Sequence, residues 1–167
     1  MTGERVVYRE RSPWPQWVNV IFWGSLVACT YPLLAGWGTD TPFLQRLAIT
    51  ASIVATFVVL LYLVGGLTVL VKRAELLVHL GSVAVIRKRI PFADIVSLES
   101  VRYHPLREFG GWGVRGFGAK QAWSARGDQA VVLHLVSGKQ LYVGSDHPHR
   151  LEERIRSTAG DQLGQNA

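Results

Sequence analysis

The chain has 167 residues, a net charge of +6 from 18 Lys+Arg against 12 Asp+Glu, 49% hydrophobic residues and a single cysteine. That length gives one ordinary domain, and one cysteine excludes a disulfide framework, a cysteine-based zinc site and a cysteine-ligated cluster. The mean hydropathy of +0.18 is high for a basic chain, and the apolar residues are concentrated: residues 12–39 and 47–71 carry no charge at all.

Residues 1–14 read as an N-terminal tail bearing Arg5, Arg9 and Arg11. The transmembrane hairpin is predicted over residues 15–71. Its first span, residues 17–38, would reach about 33 Å as a helix, enough for a hydrocarbon core of about 30 Å. Trp14 and Trp17 mark one end and Trp37 the other, as membrane-interface anchors do. Pro32 is placed to kink the far end. The second span, residues 47–71, stops at Lys72 and Arg73, and the short connection between the spans allows only an antiparallel hairpin. Basic residues flank the two outer ends, whereas the connection holds Arg46, partly offset by Asp40, so both termini are expected in the cytoplasm. Leu26-Val27-Ala28-Cys29 resembles a lipobox, but the apolar run continues through Leu34 where a lipoprotein turns polar. Within the spans there is no His, Asp, Glu, Lys or Arg, so they read as an anchor or packing surface. Gly24 with Ala28, Ala51 with Ala55, and Ser52 with Thr56 place small residues at helical spacing for close helix approach.

Residues 72–160 read as a cytoplasmic domain rich in strands, and residues 161–167 as a flexible tail. AELLVHL, a Gly81-Ser82 turn and VAVIRKR predict a hairpin, residues 95–103 an extended segment, and QAVVLHL-VSGK-QLYVG a second hairpin. Pro148, Leu151, Ile155 and Gly160 predict a short amphipathic helix that caps the sheet.

LLVHLGSVAVIRKR, the Arg89–Ile95 segment, GGWGVRGFG, Ala122-Trp123-Ser124 and LHLVSGKQLYVGSDHPHRLEERI together resemble bacterial two-span membrane proteins with a pleckstrin-homology-like domain, over residues 15–158. The resemblance implies an α+β membrane fold: a two-helix hairpin followed by a bent antiparallel β-barrel closed by a C-terminal helix. Some proteins of this architecture are implicated in assembly of photosynthetic membrane complexes.

Several candidate sites follow from the residues. Gly111, Gly113 and Gly116 match dinucleotide-loop spacing, but no helix pattern follows them, so they read as turns in a long mobile loop. In that loop Trp112, Arg115, Phe117 and Trp123 form an aromatic–Arg set expected at a partner or membrane contact, with filling of the barrel by Phe117 and Trp123 as the alternative. Lys72, Arg73, Arg87, Lys88 and Arg89 are expected to form a basic group for anionic lipid, or to serve as a topology signal only. His147 and His149 sit at a helix start, where His-x-His does not converge on a metal. No catalytic constellation, metal site or cofactor motif is expected, and no nucleic-acid role. The expectation is a non-enzymatic accessory, structural or assembly subunit whose partners are membrane lipids and other integral membrane subunits. The alternative is a lipid-surface adaptor or sensor.

Overall fold

A computed structural model describes residues 6–36, 40–116 and 118–165. The chain is α+β, with two apolar helices, two sheets and a C-terminal helix. Helix α1, Gln16–Ala35, and helix α2, Phe43–Val64, are both long and apolar enough to cross a membrane. At 1.5 Å per residue they are about 30 and 33 Å long. Neither serves as a buried core helix: 0% and 6% of their apolar windows are covered by protein. They lie against one another, with the Phe22 and Phe57 rings 4.8 Å apart. Hydroxyls along them are satisfied locally. Thr30 donates to Leu26 O at 2.8 Å, Ser52 to Ala48 O at 2.9 Å and Thr56 to Ser52 O at 2.8 Å, which leaves no helix hydroxyl among these in need of water.

Three boundaries differ from the sequence expectation. Helix α2 starts at Phe43, four residues before the expected span, so Arg46 belongs to its first turn and not to the connection. The second apolar run does not continue as helix to residue 71. It breaks at Gly65-Gly66, and Leu67–Lys72 is strand β2. An unbroken apolar run gives no periodicity with which to divide helix from buried strand, but Gly66 adopts φ +117°, a conformation open to glycine, and turns the chain. The N-terminal segment is also not a tail: Val6–Ser12 forms strand β1.

β1 and β2 pair antiparallel, with Ser12 opposite Leu67 and Val6 opposite Lys72. Strands β3, Glu75–Leu80, and β4, Arg87–Pro91, complete a first sheet in the order β1-β2-β3-β4. A 3₁₀ turn at Phe92–Asp94 leads to β5, Ile95–Arg102, and a short helix α3, Pro105–Phe109. Then come β6, Gly113–Arg115, β7, Lys120–Ser124, β8, Gln129–Leu135, and β9, Gln140–Gly144. The second sheet runs β5-β8-β9-β7-β6, antiparallel except for the parallel pairing of β7 with β9. The expected long loop around Trp112 is thus largely structured, and the glycine-spaced stretch ends as an edge strand. Among the described residues no ladder joins the two sheets into a closed barrel. Between β4 and β7 the link is a side chain, Lys88 Nζ donating to Gln121 Oε1.

Helix α4, Pro148–Ala159, packs across β2, β5 and β8. Its Leu151, Ile155 and Ala159 join Val69, Leu76, Val78, Phe92, Leu98, Leu133 and Val143 in one core between the sheets. Glu152 pins the helix: its carboxylate accepts from Ser100 Oγ at 2.6 Å and Ser100 N at 3.0 Å. Burial would raise the Glu152 pKa, but the bonds from Ser100 and Arg156 outweigh it and hold the group below the ordinary carboxylate value. The start of the expected flexible tail, residues 161–167, is structured: a 3₁₀ turn spans Gly160–Gln162, and Leu163 packs against the core.

Candidate functional site

The strand register fixes which end of the β domain adjoins the helices. β1 runs toward α1 and β2 runs away from α2, so their paired ends, Ser12 and Leu67, meet at the foot of the hairpin. Leu67 is in turn paired with Leu80, and His79 with Arg87. The connection between β3 and β4 therefore lies at this same end. Gly81 N donates to Gly66 O and Ser82 N to Tyr62 O, both at 2.9 Å. Gly81, at φ +69°, lies so close to α2 that a Cβ there would collide with the carbonyls of Tyr62 and Leu63.

Three further segments meet at this end. The loop between β7 and β8 carries Gly127, whose carbonyl accepts from Trp112 Nε1 at 2.9 Å. The Trp112 ring lies 6.1 Å from the ring of Trp17 on the first turn of α1. Sequence spacing placed these two tryptophans in different roles, an interface anchor and a loop contact; the fold brings them together. Arg115 Nε donates to Trp112 O at 3.1 Å, and a shallow cleft of about 380 Å³ beside them is lined by His104, Leu106, Arg107 and Asp128 among others.

A buried polar lock holds β1 in place. Glu10 is 8% exposed, and its carboxylate accepts from Ser145 Oγ at 2.8 Å, Asp146 N at 2.8 Å and His147 N at 3.3 Å. These donors precede α4, so the carboxylate also sits at the positive end of that helix. Ser12 Oγ donates to Asp146 Oδ2 at 3.1 Å, and Arg126 grips both Asp146 oxygens at 3.0 and 2.8 Å. Burial opposes ionisation of Asp146, but the bonds from Arg126 and Ser12 prevail and depress its pKa. The lock was not found from sequence because Glu10 and Ser12 lie 134 to 137 residues from their partners at 145–147. Its only local trace is that Tyr8, Glu10 and Ser12 alternate toward the interior.

The remaining sequence candidates are distributed as follows. Trp123 is 6% exposed in the main core, so it is a packing residue and not an interface residue. Arg115 is exposed on edge strand β6. Phe117 and Trp37 lie outside the described residues, while Trp14 precedes α1 and is half-buried. The five basic residues do not form one group. Lys72 lies five residues along β2 from Leu67, about 17 Å from the helix foot, and pairs with Glu75 at 2.7 Å. Arg73 shares that far turn. Arg87 is at the near end, Arg89 two residues farther on the same outward face, and Lys88 turns toward β7, its pKa lowered by burial and by Lys139. The split has a simple cause: a β2–β3 hairpin reverses direction, so residues close to a span in sequence end at its distal turn. Among the described residues no group of three His, Cys, Asp or Glu side chains converges as a metal site would require. His147 is the N-cap residue of α4 and His149 lies in its first turn.

On α2 a groove of about 460 Å³ runs along Ala48, Ser52 and Thr56, flanked by Ile49, Ile53 and Phe57. These small residues are four apart, one face of the helix. No family model matches the chain, and no curated protein matches it significantly.

Proposed function

We propose that the chain is an integral membrane protein, without catalytic activity of its own, that serves as an accessory, structural or assembly subunit of a larger membrane complex. One observation carries the reading: both helix ends feed into adjacent strands of one sheet, with Ser12 opposite Leu67, so the hairpin and the β domain are coupled as one unit. Such coupling suits a protein that fixes spans and a surface domain relative to other subunits. The outward faces of α1 and α2 are apolar, with Val20 71% and Leu44 76% exposed, and these faces require lipid or other spans around them. The groove along Ala48, Ser52 and Thr56 has the small-residue spacing that lets a neighbouring helix approach closely.

In this reading the β domain is pleckstrin-homology-like. Support comes from two sheets around one core with a C-terminal helix packed across them; the parallel β7–β9 pair and the open edges are departures from the expected barrel. The domain lies on the cytoplasmic side of the inner membrane in this reading, because Arg9, Arg11, Arg87 and Arg89 are at the domain end of the hairpin while the opposite end carries Arg46, in the first turn of α2, and Asp40. Lipid adaptation through a single basic patch is the less favoured reading, since Lys72 and Arg73 stand apart from Arg87.

The test is extraction in several mild detergents with a photo-crosslinker placed at Ser52. The proposal expects a discrete adduct to a second membrane protein and a native mass above that of the single chain. A monomer in every detergent, without an adduct, overturns it.

A further inference from the structure

The connection between β3 and β4 carries an apolar group that the β domain does not use. Val83 is 59% exposed, Val85 64% and Ile86 41%, in a five-residue turn, 82–86, where single exposed apolar residues would need no comment but three together do. The turn displays them through a strained backbone: Ala84, between the two valines, is the one described non-glycine residue with positive φ, at 53°.

The position of this turn is fixed. Its first residue donates from Ser82 N to Tyr62 O, and Ser82 lines a cleft of about 380 Å³ together with Trp23, Val58, Leu61 and Tyr62. Val58 is six residues, about 9 Å, before the end of α2, and Trp23 lies at a similar depth along α1. The turn thus starts beside the last turn of α2, held there through Ser82. Arg11 lines the mouth of the same cleft, and Arg87 follows the turn directly. Exposed apolar side chains on a turn anchored to the last turn of α2, with Ile86 O accepting from Leu80 N and Arg87 next in the chain, match the order of acyl chain and phosphate met on leaving a bilayer.

We propose that residues 82–86 insert into the leaflet facing the β domain, with Val83, Val85 and Ile86 among the acyl chains and Arg11 and Arg87 at the phosphates. This rests on the membrane-spanning reading of α1 and α2. The wedge is a third point of membrane attachment, and with the Trp17–Trp112 contact it holds the domain against the bilayer.

The test uses the full chain with Cys29→Ala, carrying one cysteine labelled with an environment-sensitive fluorophore, in phosphatidylcholine–phosphatidylglycerol vesicles containing nitroxide lipids. Reporters are placed at Val85→Cys, at Val54→Cys within α2, and at Ser137→Cys in the β8–β9 turn. The expected result is a blue shift and quenching by a shallow nitroxide at position 85, quenching by a deep nitroxide at position 54, and no quenching at 137. With the reporter moved to Val83→Cys, adding Val85→Asp is expected to reduce the quenching, and the exposed site makes this change harmless to the fold. An unquenched, unshifted position 85 beside a quenched position 54 overturns the insertion and leaves the spans intact. A blue shift at 85 without lipid quenching assigns the turn to a protein contact and also overturns it. An unquenched position 54 overturns the spanning reading itself.

Discussion

Replacing Glu10 by Ala tests whether the N-terminal strand is integral to the domain. The Glu10 carboxylate is 8% exposed and accepts from one hydroxyl and two backbone N–H groups of residues 145–147, with the Tyr8 hydroxyl donating at 3.2 Å. Truncation removes an acceptor that no neighbouring side chain replaces. A buried donor left unsatisfied costs about 1–3 kcal/mol, and the two backbone donors are the ones that cannot rotate away. The His147 N bond is long at 3.3 Å, and Ser145 Oγ also accepts from His147 N at 3.0 Å; His147 N therefore keeps a partner. That leaves Asp146 N as the fully orphaned group, plus the lost interaction with the start of α4, worth about 0.5–1 kcal/mol. The sum is about 2–4 kcal/mol for Glu10→Ala, and about 1–2 kcal/mol for Glu10→Gln, which keeps one acceptor but loses the charge. Urea unfolding of the full chain in micelles, followed by tryptophan emission, measures both. Arg9→Ala, on the outward face of β1, is the control and should fall within about 0.5 kcal/mol of the parent. A Glu10→Ala loss no larger than that of the control would refute the packed N-terminal strand.

Trp123→Ala should destabilise the domain by about 3–5 kcal/mol as a large core truncation, whereas Trp112→Ala, which loses one ring contact and one hydrogen bond, should cost about 1–2 kcal/mol; equal losses in the same urea titration would contradict their different burial. Gly81→Ala should separate the β3 end from α2, because the new Cβ meets the Tyr62 and Leu63 carbonyls at a left-handed φ, and amide exchange at Ser82 should accelerate. Asp146 and Glu152 have folded pKa values below their ordinary ones. Their contribution is complete above about pH 5 and fades as pH falls through the depressed values, since the unfolded chain then binds more protons. Urea midpoints should drop below about pH 4, and Arg126→Ala should flatten the part of that slope due to Asp146; an unchanged slope sinks the assignment.

What could be read in advance depended on whether the signal was local. Helix α4 was legible because Pro148, Leu151, Ile155 and Gly160 state its start, face and stop within thirteen residues. The apolar helices were legible from charge-free length, but the end of α2 was not. Leu67, Val69 and Val71 are as apolar as the helix before them, and only Gly65-Gly66 and the β-branched residues mark the change. β1 was missed for the opposite reason. Its inward residues include Glu10 and Ser12, so it lacks the apolar alternation of a strand, and their partners are at the other end of the chain. For the same reason the foot of the hairpin could not be assembled beforehand. Trp17 and Trp112 meet only because β1 carries α1 to the end of the domain where the β7–β8 loop holds Trp112.

The pairing of β1 with β2 holds the residues before α1 and after α2 together, so the proposed membrane-spanning hairpin puts both on one side of the membrane and the connection on the other. Labelling by a membrane-impermeant maleimide decides this, using Asp40→Cys and Ser137→Cys in the Cys29→Ala background, in intact cells and in inverted membrane vesicles. The account predicts that Asp40→Cys reacts only in intact cells and Ser137→Cys only in inverted vesicles. Reaction of both positions from the same side would contradict a membrane-spanning hairpin.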